Sequence, residues 1–341
     1  MKIDIVVCTY NRPLRVISLV QEILTCNPLP NSIIIVDSSD VFIENNVIIE
    51  NTNYIKSSHK NQPYQRFLGY MISSADILIY LDDDMEILDS TFFQNIKTLF
   101  YNIDIVGVGF AFKNKHLDIF LNKTPKSILQ SISNSNKLLH NLRSFSGYGE
   151  LPTGKFGWNG LRGRQPIQMA STEWFGGGAF AARKNDLFQN FNFQLLDLFE
   201  KKIGMGEDMM ISYTLSKRGK LLFYPEVKFL HNDQKDSTYT PDFYSYAYRV
   251  MYSRLFLSLE YARLNNYPLY LANIKFNWYA FWRLIGQLLN IILKPSYDRK
   301  ETLKGSIMGW KDSFSLKINN MDNRNQFWIT EVHSNLSNCS L

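Results

Sequence analysis

Three consecutive aspartates, Asp82, Asp83 and Asp84, directly follow an apolar run at residues 77–81 that the pattern predicts to be a buried strand. Adjacent carboxylates repel one another unless a cation neutralises them. Mg²⁺ and Mn²⁺ prefer oxygen ligands, and Mg²⁺ is typically held by one or two carboxylates together with substrate phosphates. The spacing does not match the calcium loop of an EF-hand. The triplet therefore predicts a site for Mn²⁺ or Mg²⁺ and a phosphate-bearing ligand.

A second acidic pair, Glu207 and Asp208, follows the glycines Gly204 and Gly206. A carboxylate that faces a bound hydroxyl group can act as a general base, which is worth roughly 10² to 10⁴ in rate. The same pair would also suit the start of a helix predicted at residues 209–217, where acidic side chains accept hydrogen bonds from free backbone N–H groups. The two roles are compatible.

Two further polar residues end predicted strands. Asp37 follows the strand predicted at residues 32–36, where its carboxylate can accept hydrogen bonds from a nucleobase or a ribose, or cap the next turn. His231 ends the run at residues 227–230. A lone histidine usually has a structural role, but at this sheet edge His231 could complete a metal shell.

A glycine triplet, Gly176, Gly177 and Gly178, follows Trp174 and precedes a strand predicted at residues 179–182. Glycines here either form a tight turn or let a ligand approach the backbone closely. The triplet has neither the GxGxxG order after a first strand nor the lysine of a P-loop, so neither of those phosphate sites is predicted.

The alternation of strands and helices predicts a mostly parallel sheet covered by helices. Strands are predicted at residues 3–7, 32–36, 77–81 and 105–110, and helices at residues 14–25 and 64–74. In such sheets, ligands bind beyond the carboxyl ends of the strands. The polar clusters that follow the first three strands should therefore gather at one edge.

The middle of the chain, residues 113–168, is long and irregular in pattern, and we expect either a lid over a substrate or a surface excursion. Its basic residues Arg162 and Arg164 could attract a phosphate-bearing acceptor. Helices are predicted at residues 242–260 and 269–294.

The second of these helices is amphipathic. One side carries Asn273, Asn277, Arg283, Gln287, Asn290 and Lys294, and the other carries Leu271, Ile274, Trp278, Phe281, Ile285 and Leu289. We expect it to pack on the rest of the protein, with contact to a membrane surface as the alternative. From residue 316 onward the chain is polar, and a fraying tail is expected.

The composition is that of a globular protein: of 341 residues, 45% are hydrophobic and 20% are charged. The net charge of +6 suits a polyanionic ligand, a membrane surface or a nucleic acid, but no nucleic-acid-binding motif is present. Three scattered cysteines exclude a disulfide framework and a CxxC zinc site, which favours a reducing, cytoplasmic compartment. No signal peptide or membrane span is predicted.

Five segments together resemble, in order, the motifs of family 2 glycosyltransferases, which have the GT-A fold. They are VVCTYNRP at residues 6–13, IVDSSD at 35–40, IYLDDD at 79–84, GGGAF at 176–180 and GED at 206–208. The segments YRVMYSR at 248–254 and KGSIMG at 304–309 are more weakly similar to a bacterial rhamnosyltransferase-like branch. The sequence departs from the family at Asp37-Ser38-Ser39-Asp40, where Asp-Asp-Gly-Ser is common, and at Phe67, where Asn is common.

The resemblance implies a metal-dependent, inverting transfer of a sugar from a nucleotide diphosphate sugar to a saccharide or lipid-linked saccharide acceptor, in bacterial surface polysaccharide or glycoconjugate synthesis. Binding of the nucleotide sugar is implied for Thr9, Arg12, Asp37, Arg66, Asp82 and Asp83. Metal binding is implied for Asp84, with Asp82 and His231. Asp208 would be the catalytic base, with Glu207 beside it. Trp174 and the glycine triplet would shape the sugar or acceptor pocket.

The expected organisation is a GT-A catalytic domain at residues 1–235, divided near residue 112 into a donor half and an acceptor half. A helical region at 236–315 and a polar tail at 316–341 would follow. The alternative enzyme class is a nucleotidyltransferase. Such an enzyme would need a glycine-rich basic loop after the first strand, whereas the segment TYNRP at residues 9–13 has no glycine. The rival outside enzymes is a protein that binds membranes or nucleic acids without catalysis. The expected location is the cytoplasm, with the inner-membrane surface as the alternative.

Overall fold

The computed structural model describes residues 1–41, 52–114, 137–145, 151–232, 242–316 and 321–339. The strands are β1 (Ile3–Thr9), β2 (Ser32–Asp37), β3 (Thr52–Lys56), β4 (Ile77–Asp82), β5 (Met85–Ile87), β6 (Ile105–Asn114), β7 (Ala170–Thr172), β8 (Ala179–Arg183) and β9 (Lys220–His231). The helices are α1 (Pro13–Leu24), α2 (Gln62–Ile72), α3 (Phe92–Phe100), α4 (Lys137–Phe145), α5 (Gln194–Glu200), α6 (Glu207–Ser216), α7 (Phe243–Leu264), α8 (Leu269–Leu293), α9 (Tyr297–Ser313) and α10 (Met321–Cys339).

The first half of the sheet is parallel, in the order β3-β2-β1-β4. β1, β2 and β4 are largely apolar and buried because helices cover both faces, whereas β3 at the edge is partly exposed. In the register of these strands, Thr9 lies opposite Asp37, and Cys8 lies opposite Asp82. The polar residues that follow β1, β2 and β4 therefore meet at one edge. The predicted fold class, an α/β sheet flanked by helices with further helices at the C-terminal end, is confirmed.

The second half of the sheet is mixed. β8 lies antiparallel between β4 and β6, whereas β6 and β9 run parallel to each other. The short β5 continues the chain after the aspartate triplet and pairs antiparallel with the end of β9, so that Met85 lies opposite His231. This pairing brings the predicted late histidine to the aspartates, although about 145 residues separate them in sequence.

The region expected to be irregular contains ordered elements. α4 and a 3₁₀ turn at Trp158–Gly160 lie within residues 113–168. Residues 115–136 and 146–150 of the expected lid lie outside the described residues.

The C-terminal helices pack closely through glycine. A Cβ atom on Gly305 would lie 2.2 Å from the carbonyl oxygen of Tyr244, and one on Gly309 would lie 2.4 Å from that of Tyr248. Contacts this short exclude any side chain, so α9 rests directly on the backbone of α7. Among the described residues, no helix combines the length and apolar composition needed to cross a bilayer.

The end of the chain differs from the expected polar tail. α10 buries Trp328 and Val332, which are 2% and 0% exposed, in the main core. Trp328 packs edge-on to His59 and donates its indole N–H to Asp197. Two apolar side chains four residues apart were enough to anchor an otherwise polar helix. The division of the chain into domains stays a prediction.

Truncation of Trp328 tests whether α10 is part of the core. We expect Trp328→Ala to lower the free energy of unfolding by about 3 to 5 kcal/mol, since a buried aromatic ring is lost and a cavity remains. Urea unfolding followed by circular dichroism measures the change. Phe327→Ala is the matched control, because its side chain is 42% exposed in the same helix and should cost about 1 kcal/mol or less. Equal losses in the two variants would contradict the packing of α10 described here.

Candidate active site

A cavity of about 470 Å³ opens at the carboxyl edge of the parallel strands. It is lined by Cys8, Thr9, Tyr10, Arg12, Ser38, Lys60, Asn61, Gln62, Gln65, Asp82, Asp83, Asp84, Phe199, Lys202 and Arg249. Three carboxylates and four cationic side chains therefore share one cavity. Such a mixture suits a ligand that carries several negative charges together with a bound cation.

Asp82 is the most exposed of the three aspartates, with 27% of its side chain accessible. Its Oδ1 atom accepts hydrogen bonds from Gln62 Nε2 at 2.9 Å and from Arg66 Nη2 at 3.0 Å. Burial, together with the neighbouring carboxylates of Asp84 and Asp83, raises the pKa of Asp82 against the opposing charge of Arg66. A bound cation would remove this penalty.

Asp83 is the most buried of the three aspartates, and its carboxylate ties the end of β1 to the end of β4. Its Oδ2 accepts a hydrogen bond from Thr9 Oγ1 at 2.7 Å, and its Oδ1 accepts one from Arg12 Nη1 at 2.7 Å. Both carboxylate oxygens are thus used within the protein. Asp83 holds the end of β1 against the end of β4, and it leaves its two neighbours in the sequence to face the cavity.

Asp84 and His231 form the candidate metal site. The buried Oδ1 of Asp84 has no well-aligned hydrogen-bond donor and lies 3.3 Å from His231 Nε2. Although burial opposes its ionisation, contact with His231 and the charges of Arg12 and Arg15 lower the pKa of Asp84. An ionised oxygen without a donor, beside an imidazole nitrogen, fits a divalent cation.

The protein donors at this site are few. Among the described residues, no group of three or more His, Cys, Asp or Glu side chains converges to hold a metal. A cation on Asp84 and His231 would therefore take its remaining ligands from substrate oxygens and water, which is how Mg²⁺ is commonly bound.

Arg66 lies behind Asp82 and is not among the residues that line the cavity. Its guanidinium is 1% exposed, and its Nη2 donates to Asp82 and, at 2.9 Å, to the carbonyl oxygen of Gly177. Its Nη1 lies 3.5 Å from Glu207 Oε1. The carboxylates of Asp82 and Glu207 raise the pKa of Arg66 despite its burial. Arg66, for which the resemblance implies binding of the nucleotide sugar, joins β4, the glycine triplet and α6.

The glycine triplet brings Asp208 close to this arginine. A Cβ atom on Gly177 would lie 3.1 Å from Asp208 Cβ and 3.2 Å from Arg66 Nη2. Gly206 precedes α6 with a φ of 85°, a backbone conformation that glycine adopts without strain. Glu207 and Asp208 therefore occupy the first turn of α6, as the sequence allowed, directly across Gly177 from Arg66.

Glu207 is held as a weak acid. Burial, followed by the neighbouring charge of Asp208, raises the pKa of Glu207 to about 7, with Arg66 acting in the opposite direction. Near neutral pH this side chain is therefore only partly ionised.

Nine predicted site residues do not line the cavity: Asp37, Arg66, Trp174, Gly176, Gly177, Gly178, Glu207, Asp208 and His231. Two of them, Asp37 and Trp174, are buried in contacts away from it. Asp37 is 0% exposed, and its carboxylate accepts hydrogen bonds from the backbone N–H of Ser39 and from the hydroxyl of Tyr54, the capping role that the sequence left open. Trp174 is 5% exposed and packs in an aromatic cluster with Phe156 and Tyr213. The guanidinium of Arg162 lies 4.4 Å from the ring centre of Trp174.

The structure adds three cations that the sequence did not single out, Lys60, Lys202 and Arg249. Lys202 follows α5 with a φ of 58°, and Arg249 reaches the cavity from α7, where its Nη2 donates to Gly204 at 2.6 Å. Lys202 lies in no motif, and the weakly similar segment at 248–254, which contains Arg249, does not indicate that this side chain reaches the cavity. Both residues arrive there through helix packing, which local sequence does not reveal.

No family model matches the chain, and the search of curated proteins finds no match. Among solved structures, residues 1–349 of S. aureus TarS are 11% identical, with a TM-score of 0.49, and the alignment covers 92% of this chain and 81% of that one. The mannosyltransferase PcManGT of Pyrobaculum calidifontis, in complex with GDP-Man and Mn²⁺, is 11% identical, with a TM-score of 0.46 and coverages of 98% and 80%. At such identities and TM-scores, the similarity does not extend to substrates or site residues.

The raised pKa of Glu207 predicts a pH-dependent stability. Between pH 4.5, where the unfolded side chain loses its proton, and pH 7, where the folded one does, the folded state holds the extra proton. Raising the pH from 5 to 7.5 should therefore cost the wild type about 2 kcal/mol of unfolding free energy relative to Glu207→Gln. Urea unfolding of both proteins at several pH values measures this difference.

Glu226→Gln is the surface control for this experiment. The hydrogen bond from Lys228 lowers the pKa of Glu226, so that this residue is ionised in both states over the same range. The difference in unfolding free energy between Glu226→Gln and the wild type should therefore stay constant between pH 5 and 7.5. A flat difference for Glu207→Gln as well would show that Glu207 titrates as an ordinary carboxyl group.

Proposed function

We propose that this protein is a glycosyltransferase that moves a sugar from a nucleotide diphosphate sugar to an acceptor hydroxyl group. The observation that carries the proposal is the pairing of two acidic sites at one sheet edge. Asp84 lines a cavity rich in cations, and His231 Nε2 lies 3.3 Å from Asp84 Oδ1. Asp208 lies in the first turn of α6, across Gly177 from the guanidinium that also binds Asp82. The ordered motifs of the sequence support the same conclusion.

The donor is proposed to bind in the cavity. A diphosphate carries two or more negative charges, which the side chains of Arg12, Lys60, Lys202 and Arg249 would neutralise. Asp82 offers an accessible carboxylate to sugar or ribose hydroxyl groups, which donate hydrogen bonds to it. We propose Thr9 and Asp83 as supports of this surface. Contact of Asp37 with the base stays a prediction, since its carboxylate is engaged within the protein.

Asp84 and His231 are proposed to hold Mn²⁺ or Mg²⁺. When bound, the cation supplies Lewis-acid stabilisation of the departing diphosphate. The residues of this chain supply the rest of the charge balance. Arg12 Nη1 lies 3.3 Å from Asp84 Oδ2, so its guanidinium would offset part of the negative charge that develops on the leaving group.

The acceptor is proposed to be activated by Asp208 in a single displacement with inversion. Asp208 takes the proton of the acceptor hydroxyl group, whose oxygen forms the new bond to the anomeric carbon. The bond from that carbon to the diphosphate breaks on the opposite face, and the nucleoside diphosphate leaves with the electron pair. The pKa of Glu207 is raised, so this side chain stays partly protonated near neutral pH. The negative charge beside Asp208 is reduced accordingly.

The remaining assignments are also proposals. The acceptor is a saccharide or a lipid-linked saccharide, in surface polysaccharide or glycoconjugate synthesis. Trp174 and the glycine triplet are proposed to shape the side of the site where it binds. The reaction is placed in the cytoplasm, at the membrane surface.

Donor binding tests the metal assignment directly. A panel of UDP-, GDP- and dTDP-linked sugars should give one donor that binds in calorimetry and releases nucleoside diphosphate with Mn²⁺ or Mg²⁺, but not with EDTA. Asp84→Asn should weaken this binding at least tenfold, because it removes the ionised metal ligand. Asp76→Asn, which changes an exposed aspartate away from the cavity, should leave it unchanged. Absence of binding by every donor to the folded wild type would reject the proposal for these nucleotides.

Asp208→Asn separates the chemistry from donor binding. We expect kcat to fall by roughly 10² to 10⁴, because the general base is lost, while the Kd of the donor changes by no more than about twofold. Transfer to acceptor in the presence of metal measures the first quantity, and calorimetry measures the second. A variant that transfers sugar at the wild-type rate would remove Asp208 from its proposed role.

A further inference from the structure

The turn between α8 and α9 carries a compact apolar surface, which we call the hairpin tip. It consists of Leu288, Ile292, Leu293 and Tyr297, which are 49%, 66%, 53% and 75% exposed. Scattered apolar residues on a surface are ordinary, but a contiguous group of large ones marks an interaction site. The hairpin tip therefore needs a partner.

The packing of α8 shows why its apolar side faces outward. The helix buries Ala272, Phe276, Tyr279 and Ala280 near its start, and none of its buried residues lies beyond Ala280. The expected arrangement, with the apolar side against the protein, is thus reversed. Ile274 and Phe281 of the predicted apolar side are 48% and 45% exposed.

Polar side chains hold α8 to α9. Gln287 Nε2 donates to Ser306 Oγ at 2.9 Å, and Asn277 Oδ1 accepts from Trp310 Nε1 at 2.9 Å. Arg299 Nη1 donates to the carbonyl oxygen of Asn290 at 3.1 Å. These bonds fix the turn in one conformation. The hairpin tip is therefore a preformed surface, presented outward by hydrogen bonds on its inner side.

Basic residues outnumber acidic ones around the hairpin tip. Residues 269–297 contain no Asp or Glu, whereas Lys294 lies next to the tip and Lys300 follows it, both exposed. The next acidic residues are Asp298, in the first turn of α9, and Glu301, which pairs with Lys304 at 2.7 Å. Farther along α9, the exposed Ile307 and Met308 lie between Lys304 and Lys311.

We propose that the hairpin tip docks on the surface of a bilayer that contains anionic lipid. Apolar and aromatic side chains would enter the boundary between headgroups and acyl chains, and the lysines would contact anionic headgroups. A second copy of this chain fits less well, because a symmetric contact would place lysines against lysines with few carboxylates to offset them. The inference does not rest on the proposed function.

Vesicle co-sedimentation of the full chain tests the proposal. We expect binding to vesicles of phosphatidylcholine with phosphatidylglycerol, weaker binding to phosphatidylcholine alone, and loss of the difference at high salt. The double variant Ile292→Glu with Leu293→Glu should bind at least tenfold more weakly. Lys294→Gln and Lys300→Gln should each weaken binding to anionic vesicles by about fivefold, with little effect on neutral ones.

Ile103→Glu is the matched control, since Ile103 is 76% exposed in the turn before β6 and should bind like the wild type. Circular dichroism and the Tm establish that each variant is folded. The proposal is overturned if the wild type does not bind anionic vesicles, or if the tip and control variants bind equally well. It is also overturned if light scattering shows a dimer that the double variant converts to a monomer while vesicle binding is unchanged.

Discussion

The buried guanidinium of Arg66 compensates the carboxylates around which the candidate site is built. An uncompensated carboxylate in a low-dielectric interior costs several kcal/mol, so Asp82 and Glu207 could not both lie here without a cation. A lysine would supply charge but not the planar set of donors that reaches Asp82, Gly177 and Glu207 together. The position of α6 relative to the sheet, and hence of Asp208 relative to the cavity, depends on this one side chain.

The aspartate triplet divides two tasks between its members. Asp83 is fixed by Thr9 and Arg12, so its backbone position is rigid. Asp82 and Asp84, on either side of it, face the cavity from a fixed base. A rigid support matters because a site that binds a cation and a substrate together needs its ligands held to within a fraction of an ångström. Asp83 is therefore needed to hold Asp82 and Asp84 in position.

The sequence could predict whatever depends on a single strand or helix. The apolar runs located β1, β2 and β4, and the polar residues that follow them meet at one edge because these strands are parallel. The antiparallel insertion of β8, the burial of Trp328 and the outward apolar side of α8 depend on contacts between distant segments. For α8 the amphipathic pattern was real, but hydrogen bonds from Gln287 and Asn277 decided which side faced inward. The periodicity of a helical sequence identifies an apolar and a polar face, but not which of the two packs against the protein.

The C-terminal helices are connected to the candidate site through α7. Arg249 of α7 lines the cavity and donates to Gly204, just before the turn that positions Glu207 and Asp208. The preceding residue of the same helix, Tyr248, carries the backbone carbonyl against which Gly309 of α9 packs. Close-packed helices move as a unit. The hairpin tip and the Arg249 side chain in the cavity are therefore carried by the same set of packed helices. A domain boundary near residue 236 would therefore separate the candidate site from Arg249, which lines its cavity.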